Sequence, residues 1–248
     1  MIRYVPASTF SLLLCLALAG FGAPDLLTAR VSAAQGVTCN GLEATIIGTS
    51  GDDVIDGTAG DDVIAGLEGN DVIRGGLGND VICGGSGEDN LAGQGGNDTL
   101  FGEQDDDVLD GGEGGCCNTI TNSGDDTLYG GQGDDDLHTS DFPTLGNTLY
   151  GEQGNDRLFV WSGGWAYGGN GDDEIFQFSG NAFLDGGNGN DLITDGNDSG
   201  LRNEIVDLVG GNGDDVLVSV DATSITTMDG SRGADTCTGG DSTVRCEG

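Results

Sequence analysis

The sequence predicts an all-β solenoid, a stack of short parallel strands, and three observations predict it. Glycine supplies 50 of the 248 residues, about a fifth of the chain. A nine-residue period runs without a gap from Gly48 to Asp110. The acidic residues, 43 against 7 basic ones, recur at fixed positions of that period instead of scattering. A net charge of −36 with low hydrophobicity would otherwise read as disorder, because burial could not offset chain entropy. Three prolines and no glycine at every third position exclude collagen. So acidic a surface also excludes nucleic acid and anionic lipid as partners.

Taken in order, residues 1–33 read as a secretory signal peptide. Arg3 gives the positive start, and Phe10 to Leu18 is an apolar run too short for a stable membrane span, so no membrane insertion is expected. Val31 and Ala33 form a V-x-A cleavage site, which places the mature N-terminus at Ala34. Residues 34–47 are expected as an N-terminal cap strand. Six cysteines follow the leader: Cys39, Cys83, Cys116, Cys117, Cys237 and Cys246. An even count in an exported chain favours disulfides. Cys237 with Cys246 closes a short terminal loop, Cys39 with Cys83 is a second pairing, and adjacent Cys116 and Cys117 could join only through a strained ring. One histidine and no C-x-x-C leave too few ligands for zinc.

The tandem repeats read GTSGDDVID, GTAGDDVIA, GLEGNDVIR, GGLGNDVIC, GGSGEDNLA, GQGGNDTLF and GEQDDDVLD. Glycine stands first and usually fourth, aspartate sixth, and isoleucine or leucine eighth. Glycines allow a tight turn over the first six residues. The last three form a short strand with one aliphatic side chain inward: Ile55, Ile64, Ile73, Ile82, Leu91, Leu100 and Leu109. One such strand buries almost nothing, whereas stacked parallel strands about 4.8 Å apart build a continuous thin core. Stacking also sets each aspartate over another, and a carboxylate column repels itself unless cations lie between. Hard oxygen ligands on a flexible loop suit Ca²⁺, which takes six to eight oxygens.

The pattern G-G-x-G-x-D-x-U-x, clearest in GGLGNDVIC, GGNGDDEIF and GGNGNDLIT, resembles the RTX (haemolysin-type) calcium-binding nonapeptide repeat. The resemblance implies a right-handed parallel β-roll with two nonapeptides per turn. Ca²⁺ would then lie between loops of successive turns, held by sixth-position aspartates and backbone carbonyls.

Past GGQGDDDLH at Gly130, motifs open at Gly151, Gly168, Gly186, Gly210 and Gly230, so one loop per turn keeps the ligand pattern. Strands are expected in NTLY, WAY, AFLD, VDLV and TTMD before these glycines. This reading gives a long metal column of Asp62, Asp80, Asp98, Asp135, Asp156, Asp173, Asp191, Asp215 and Asp235. A short column carries Asp53, Asp71, Asp89, Asp107 and Asp126. In GGEGGCCNTI the sixth position falls on Cys116, the next repeat is out of register by one, and Ile120 is expected to restore the inward position. The organisation expected is a two-column roll over 48–138, a one-column roll over 139–238, and a C-terminal cap over 239–248.

Outward ninth positions become aromatic midway: Tyr129, Tyr150 and Tyr167 on one face, Phe159 and Phe176 on the other, with Trp161 and Trp165 nearby. They either stabilise the stack or offer a platform for a sugar or a protein. DGNDSG from Asp195 resembles the start of a helix-loop-helix calcium loop, but Val206 stands where the closing glutamate belongs. His138, the one imidazole, sits at an outward ninth position, so no Ser-His-Asp arrangement is formed. Paired carboxylates of the glycosidase kind are already assigned to metal. The glycine-rich strings lack the helix and lysine of a phosphate loop. The expected function is a secreted, calcium-dependent β-roll with a structural or adhesive extracellular role and no catalysis. The alternative is an extracellular glycan or protein partner on the solenoid face, either as a carbohydrate-binding module or as a small calcium-dependent enzyme.

Overall fold

A computed structural model describes residues 36–112, 124–139, 146–161, 163–196, 205–220, 225–239 and 243–245. The chain winds between two parallel sheets and changes sheet with every strand. An 11-stranded sheet runs from Ile46–Ile47 to Thr243–Arg245, and a 10-stranded sheet runs from Val54–Asp56 to Thr236–Thr238. Among the described residues there is no helix. The fold is a parallel β-roll, a form of β-solenoid, and the strands expected before Gly151, Gly168, Gly186, Gly210 and Gly230 all form: Thr148–Gln153, Gly164–Asn170, Ala182–Asn188, Ile205–Asn212 and Ile225–Asp229.

Between the sheets lie two files of aliphatic side chains. One sheet contributes Ile46, Ile64, Ile82, Leu100, Leu128, Leu149, Ala166, Leu184, Leu208 and Met228, each stacked in register on the next. The other contributes Ile55, Ile73, Leu91, Leu109, Leu137, Leu158, Ile175, Ile193 and Leu217, ending on Cys237. All but Ile46 and Cys237 are essentially inaccessible to solvent. A core only two side chains thick has no lateral depth, so the stability of each turn depends on its neighbours.

The two edges of the roll differ. Crossing from the 11-stranded to the 10-stranded sheet, inward residues are nine apart throughout, as in Ile46 to Ile55, Leu128 to Leu137 and Met228 to Cys237. The return crossing does not hold that spacing throughout, although it recurs between Ile175 and Leu184. It stretches between Leu109 and Leu128 and shortens between Leu158 and Ala166. We call these the constant and the variable edge. Insertions fall on one side because the constant edge is locked by the loop ladder described below.

At the N-terminus the expected cap strand contains a hairpin, Thr38–Cys39 paired antiparallel with Leu42–Glu43. Asn40 and Gly41 fill its two-residue turn with φ of 48° and 79°, the left-handed pair that twists with the strands. Cys39 is disulfide-bonded to Cys83 on the outer side of Val81–Ser86, 44 residues away. Closing that loop restricts the unfolded chain by roughly 4 kcal/mol in the chain-entropy model. Cys237 is also disulfide-bonded; Cys246, its expected partner, lies outside the described residues, as do Cys116 and Cys117.

Candidate metal centre

Each constant-edge loop lifts its sixth-position aspartate against the loop of the preceding turn. The Asp53 N–H donates to Asp71 Oδ1 at 2.8 Å, and the same link joins Asp71 to Asp89, Asp89 to Asp107, Asp107 to Asp135, and Asp135 to Asp156. It continues from Asp156 through Asp173, Asp191 and Asp215 to Asp235. On the variable edge the ladder runs Asp62, Asp80, Asp98, Asp126, and Asn147 supplies the next oxygen, its Oδ1 2.8 Å from the Asp126 N–H.

This corrects the expected columns. Asp135, Asp156, Asp173, Asp191, Asp215 and Asp235 continue the file of Asp53, Asp71, Asp89 and Asp107, while Asp126 continues Asp62, Asp80 and Asp98. The nineteen residues from Asp107 to Asp126 match a slightly long full turn in length alone. Val108–Asp110 instead pairs with Asp136–His138, and Thr99–Gln104 with Thr127–Gln132, so that stretch is a half turn carrying an insertion. Gly111 opens the repeat, and Asp126 is its sixth-position residue: a methyl on Gly111 would meet Asp126 Oδ2 at 2.7 Å. Cys116 therefore does not replace a ligand; Cys116 and Ile120 themselves lie outside the described residues.

The second carboxylate oxygen carries the chemistry. Oδ2 of Asp71, Asp80, Asp89, Asp98, Asp107, Asp135, Asp156, Asp173, Asp191, Asp215 and Asp235 is buried and has no hydrogen-bond partner. It crosses over the first-position glycine of its own repeat, so that a methyl on Gly168 would collide with Asp173 Oδ2. Carbonyl oxygens crowd the same loops. A methyl on Gly154, at φ +139°, would strike the Gly133 carbonyl one turn below. Buried acceptors without donors are costly, at about 1–3 kcal/mol each, and these are acceptors only. Among the described residues no three His, Cys, Asp or Glu side chains converge on one point. The oxygen set is therefore aspartate plus main-chain carbonyl, which suits a hard, flexible-coordination cation.

The titration behaviour agrees. Burial pushes Asp107 and Asp156 up to about 8, with the carboxylates stacked above and below adding to the shift and the neighbouring backbone N–H opposing it. Burial likewise carries Asp98, Asp126 and Asp191 to about 7, and Asp89, Asp135 and Asp173 to about 6, with nearby carboxylates adding to the shift and a backbone N–H opposing it. Burial thus favours the protonated form of these carboxylates when no cation is present.

A second ladder was missed in the sequence. Fifth-position side chains accept from the next turn, as Asp52 Oδ1 does from the Asn70 N–H at 3.0 Å and Asp134 Oδ1 from the Asn155 N–H at 2.7 Å. It runs opposite in direction to the aspartate ladder, so each loop is tied both ways. Its signal was visible in the Asp or Asn that precedes the sixth-position aspartate in GDD and GND.

From Thr139 onward the variable edge drops the pairing of glycine with aspartate, and both members change together. Val160 comes with Gly164, Gln177 with Ala182, and Asp195 with Val206, all buried. Once the carboxylate no longer crosses the first position, a side chain can fill it.

The aromatic files form as expected. Phe101, Tyr129, Tyr150 and Tyr167 stack nearly parallel with centroids 4.8–5.1 Å apart. His138 stacks on Phe159 at 4.5 Å and Phe159 on Phe176 at 5.4 Å. Burial lowers the His138 imidazole pKa. Stacking occupies the ring faces that a sugar would need, so these files stabilise the sheets.

Residues 47–82, 84–115, 120–141 and 146–164 match the profile of the RTX calcium-binding nonapeptide repeat in four copies. Residues 47–164 thus carry RTX calcium-binding nonapeptide repeats, and such repeats bind Ca²⁺. The matched copies end at 164, yet the same coil and the same aspartate ladder continue to Asp235. No curated protein matches the chain.

Proposed function

We propose that the chain is exported and that its roll is a calcium-stiffened extracellular body with a structural or adhesive role. Calcium ions lie between successive loops. On the constant edge they are held by Asp53, Asp71, Asp89, Asp107, Asp135, Asp156, Asp173, Asp191, Asp215 and Asp235, and on the variable edge by Asp62, Asp80, Asp98 and Asp126. Backbone carbonyls complete each shell. Residues 48–138 thus carry two ion columns and 139–238 one. The observation that carries this reading is the unbroken file of buried aspartates with unpartnered Oδ2 atoms. When bound, the ions supply charge neutralisation and cross-links between turns; catalysis is not assigned. The leader fits the same picture, because calcium is abundant outside cells and scarce within them.

A second reading is favoured by a groove of about 330 Å³ lined by Trp165, Asn181, Phe183, Ile205 and Asp207. Trp165 stands 44% exposed there, outside the stacked files. An indole beside amide and carboxylate groups suits a neutral pyranose. One experiment tests both. Chain recovered from the medium of expressing cells should begin at Ala34 by N-terminal sequencing, and retention inside the cells with an intact leader would contradict export. The same material run through gels containing neutral polysaccharides should be retarded only if the groove binds glycan, and Trp165→Ala should abolish the retardation.

A further inference from the structure

Asp53 and Asp62 open the two aspartate files, yet their Oδ2 atoms have donors. The Thr49 N–H donates to Asp53 Oδ2, and the Thr58 N–H donates to Asp62 Oδ2 at 2.6 Å. The Thr58 hydroxyl adds a second bond to Asp62 Oδ2 at 2.8 Å. From Asp71 to Asp235 on the constant edge, and at Asp80 and Asp98 on the variable edge, the corresponding oxygen has none.

The difference starts at the second position of the repeat. Later loops carry glycine there, or a residue without a branch at Cβ, at positive φ: Leu67 at 94°, Gly76 at 113°, Gln94 at 76° and Glu152 at 76°. Their fourth-position glycines are left-handed as well, as at Gly69 (112°) and Gly78 (116°). At Thr49, Gly51, Thr58 and Gly60 φ is not positive. A β-branched residue is a marked outlier in the left-handed region. Threonine therefore keeps the peptide in the other setting, with its N–H turned in toward the carboxylate. The carboxylate also stands farther from its first-position glycine. A methyl on Gly48 or Gly57 would meet Oδ2 at 2.9 or 3.1 Å, against 2.3 Å on Gly66 or Gly75. An inward N–H satisfies the anion and occupies the oxygen that a cation would use.

The rest of the N-terminal end adds to this closure. Ile46–Ile47 pairs with the strand Val63–Glu68, which pairs in turn with Val81–Ser86. The Cys39–Cys83 disulfide ties the hairpin to that last strand, so both threonine loops lie within one covalent ring.

We propose that the loops of Asp53 and Asp62 take no calcium on their carboxylates, and that the disulfide-fastened N-terminal turn is a calcium-independent template on which the ion-bound turns stack. The proposal rests on the calcium reading and narrows it at one end. Asp53 and Asp62 lend their loops to the first interloop ions, whereas the side-chain ligands begin at Asp71 and Asp80. A solenoid needs an end that holds without a further neighbour, and threonine at the second position supplies one by closing the loop on itself.

Counting calcium ions in the folded full chain by native mass spectrometry tests this. The double variant Asp53→Asn, Asp62→Asn should keep the wild-type number of ions, because the asparagine Oδ1 still accepts the threonine N–H. Asp71→Asn and Asp80→Asn should each bind fewer. Should those two not fold, hydrogen exchange on the wild type decides without a variant. As chelator withdraws calcium, amides of residues 46–68 should be the last to lose protection. Loss of ions from the double variant would overturn the proposal, as would exchange at 46–68 that begins as early as in the strands from Asn90 onward. A folded wild type that binds no ions would instead overturn the column reading.

Discussion

In excess chelator near neutral pH the chain is expected to lose its parallel β-structure. It should regain that structure cooperatively as calcium rises through roughly 10⁻⁴ to 10⁻³ M, the range of extracellular calcium modules. The reason is the aspartate file. From Asp71 to Asp235 on the constant edge, and at Asp80 and Asp98 on the variable edge, the carboxylates are stacked and their buried Oδ2 atoms have no donor; without ions, repulsion and desolvation oppose these turns, so binding energy is folding energy. The same physics fixes the pH dependence. Burial raises Asp107 and Asp156 to about 8 and Asp98 and Asp191 to about 7 in the folded chain, above the ordinary aspartate value near 3.9. The folded, metal-free state therefore binds more protons than the unfolded one, and its stability is greatest below about pH 4 and falls as the pH rises through about 6 to 8. Circular dichroism in chelator should show β-structure returning on acidification across that window. A chelated chain that stays folded at pH 8, or one that only loses structure as the pH falls, would contradict the account.

Replacing Asp173 by alanine is expected to do far more damage than replacing Asp80. Each removes one carboxylate and the two loop contacts it joins. Around Asp80 the opposite edge keeps Asp71 and Asp89, linked at 2.8 Å, so the turn retains a second ion column. Around Asp173 the opposite edge holds Gln177 and Ala182, with no nonapeptide aspartate. Nearest-neighbour coupling then spreads the loss through the distal turns. Hydrogen exchange in calcium should show Asp173→Ala deprotecting strands from Gly164 onward, and Asp80→Ala deprotecting only its own and adjacent turns. Equal effects, or a greater effect for Asp80, would count against one-sided support of the distal half.

Much of this was legible in the sequence because a nine-residue period specifies turn, strand and ligand together. The inward file from Ile55 to Leu109 follows from the eighth position alone, and the strands at WAY and AFLD follow from the motif that succeeds each. What could not be read was the parity of the insertion after Asp110. A strand pairs with whichever turn its length allows, and nineteen residues fit a long turn as well as an extended half turn; only the register of Val108–Asp110 on Asp136–His138 decides. The buried pair of Gln177 and Asp195 was hidden for a similar reason, since those residues lie 18 apart and share no motif. The DGNDSG motif begins at Asp195, and its residues 197–200 lie outside the described residues.

The measurement that bears most directly on the central claim is the number of ions in the folded protein. Nine aspartate-to-aspartate links on the constant edge and three on the variable edge call for about a dozen interloop calcium ions in a nearest-neighbour stack. Native mass spectrometry of the calcium-loaded chain should find them filling cooperatively, with half-loaded species scarce. A fully folded chain that carries only one or two ions would contradict the claim that calcium holds the turns together.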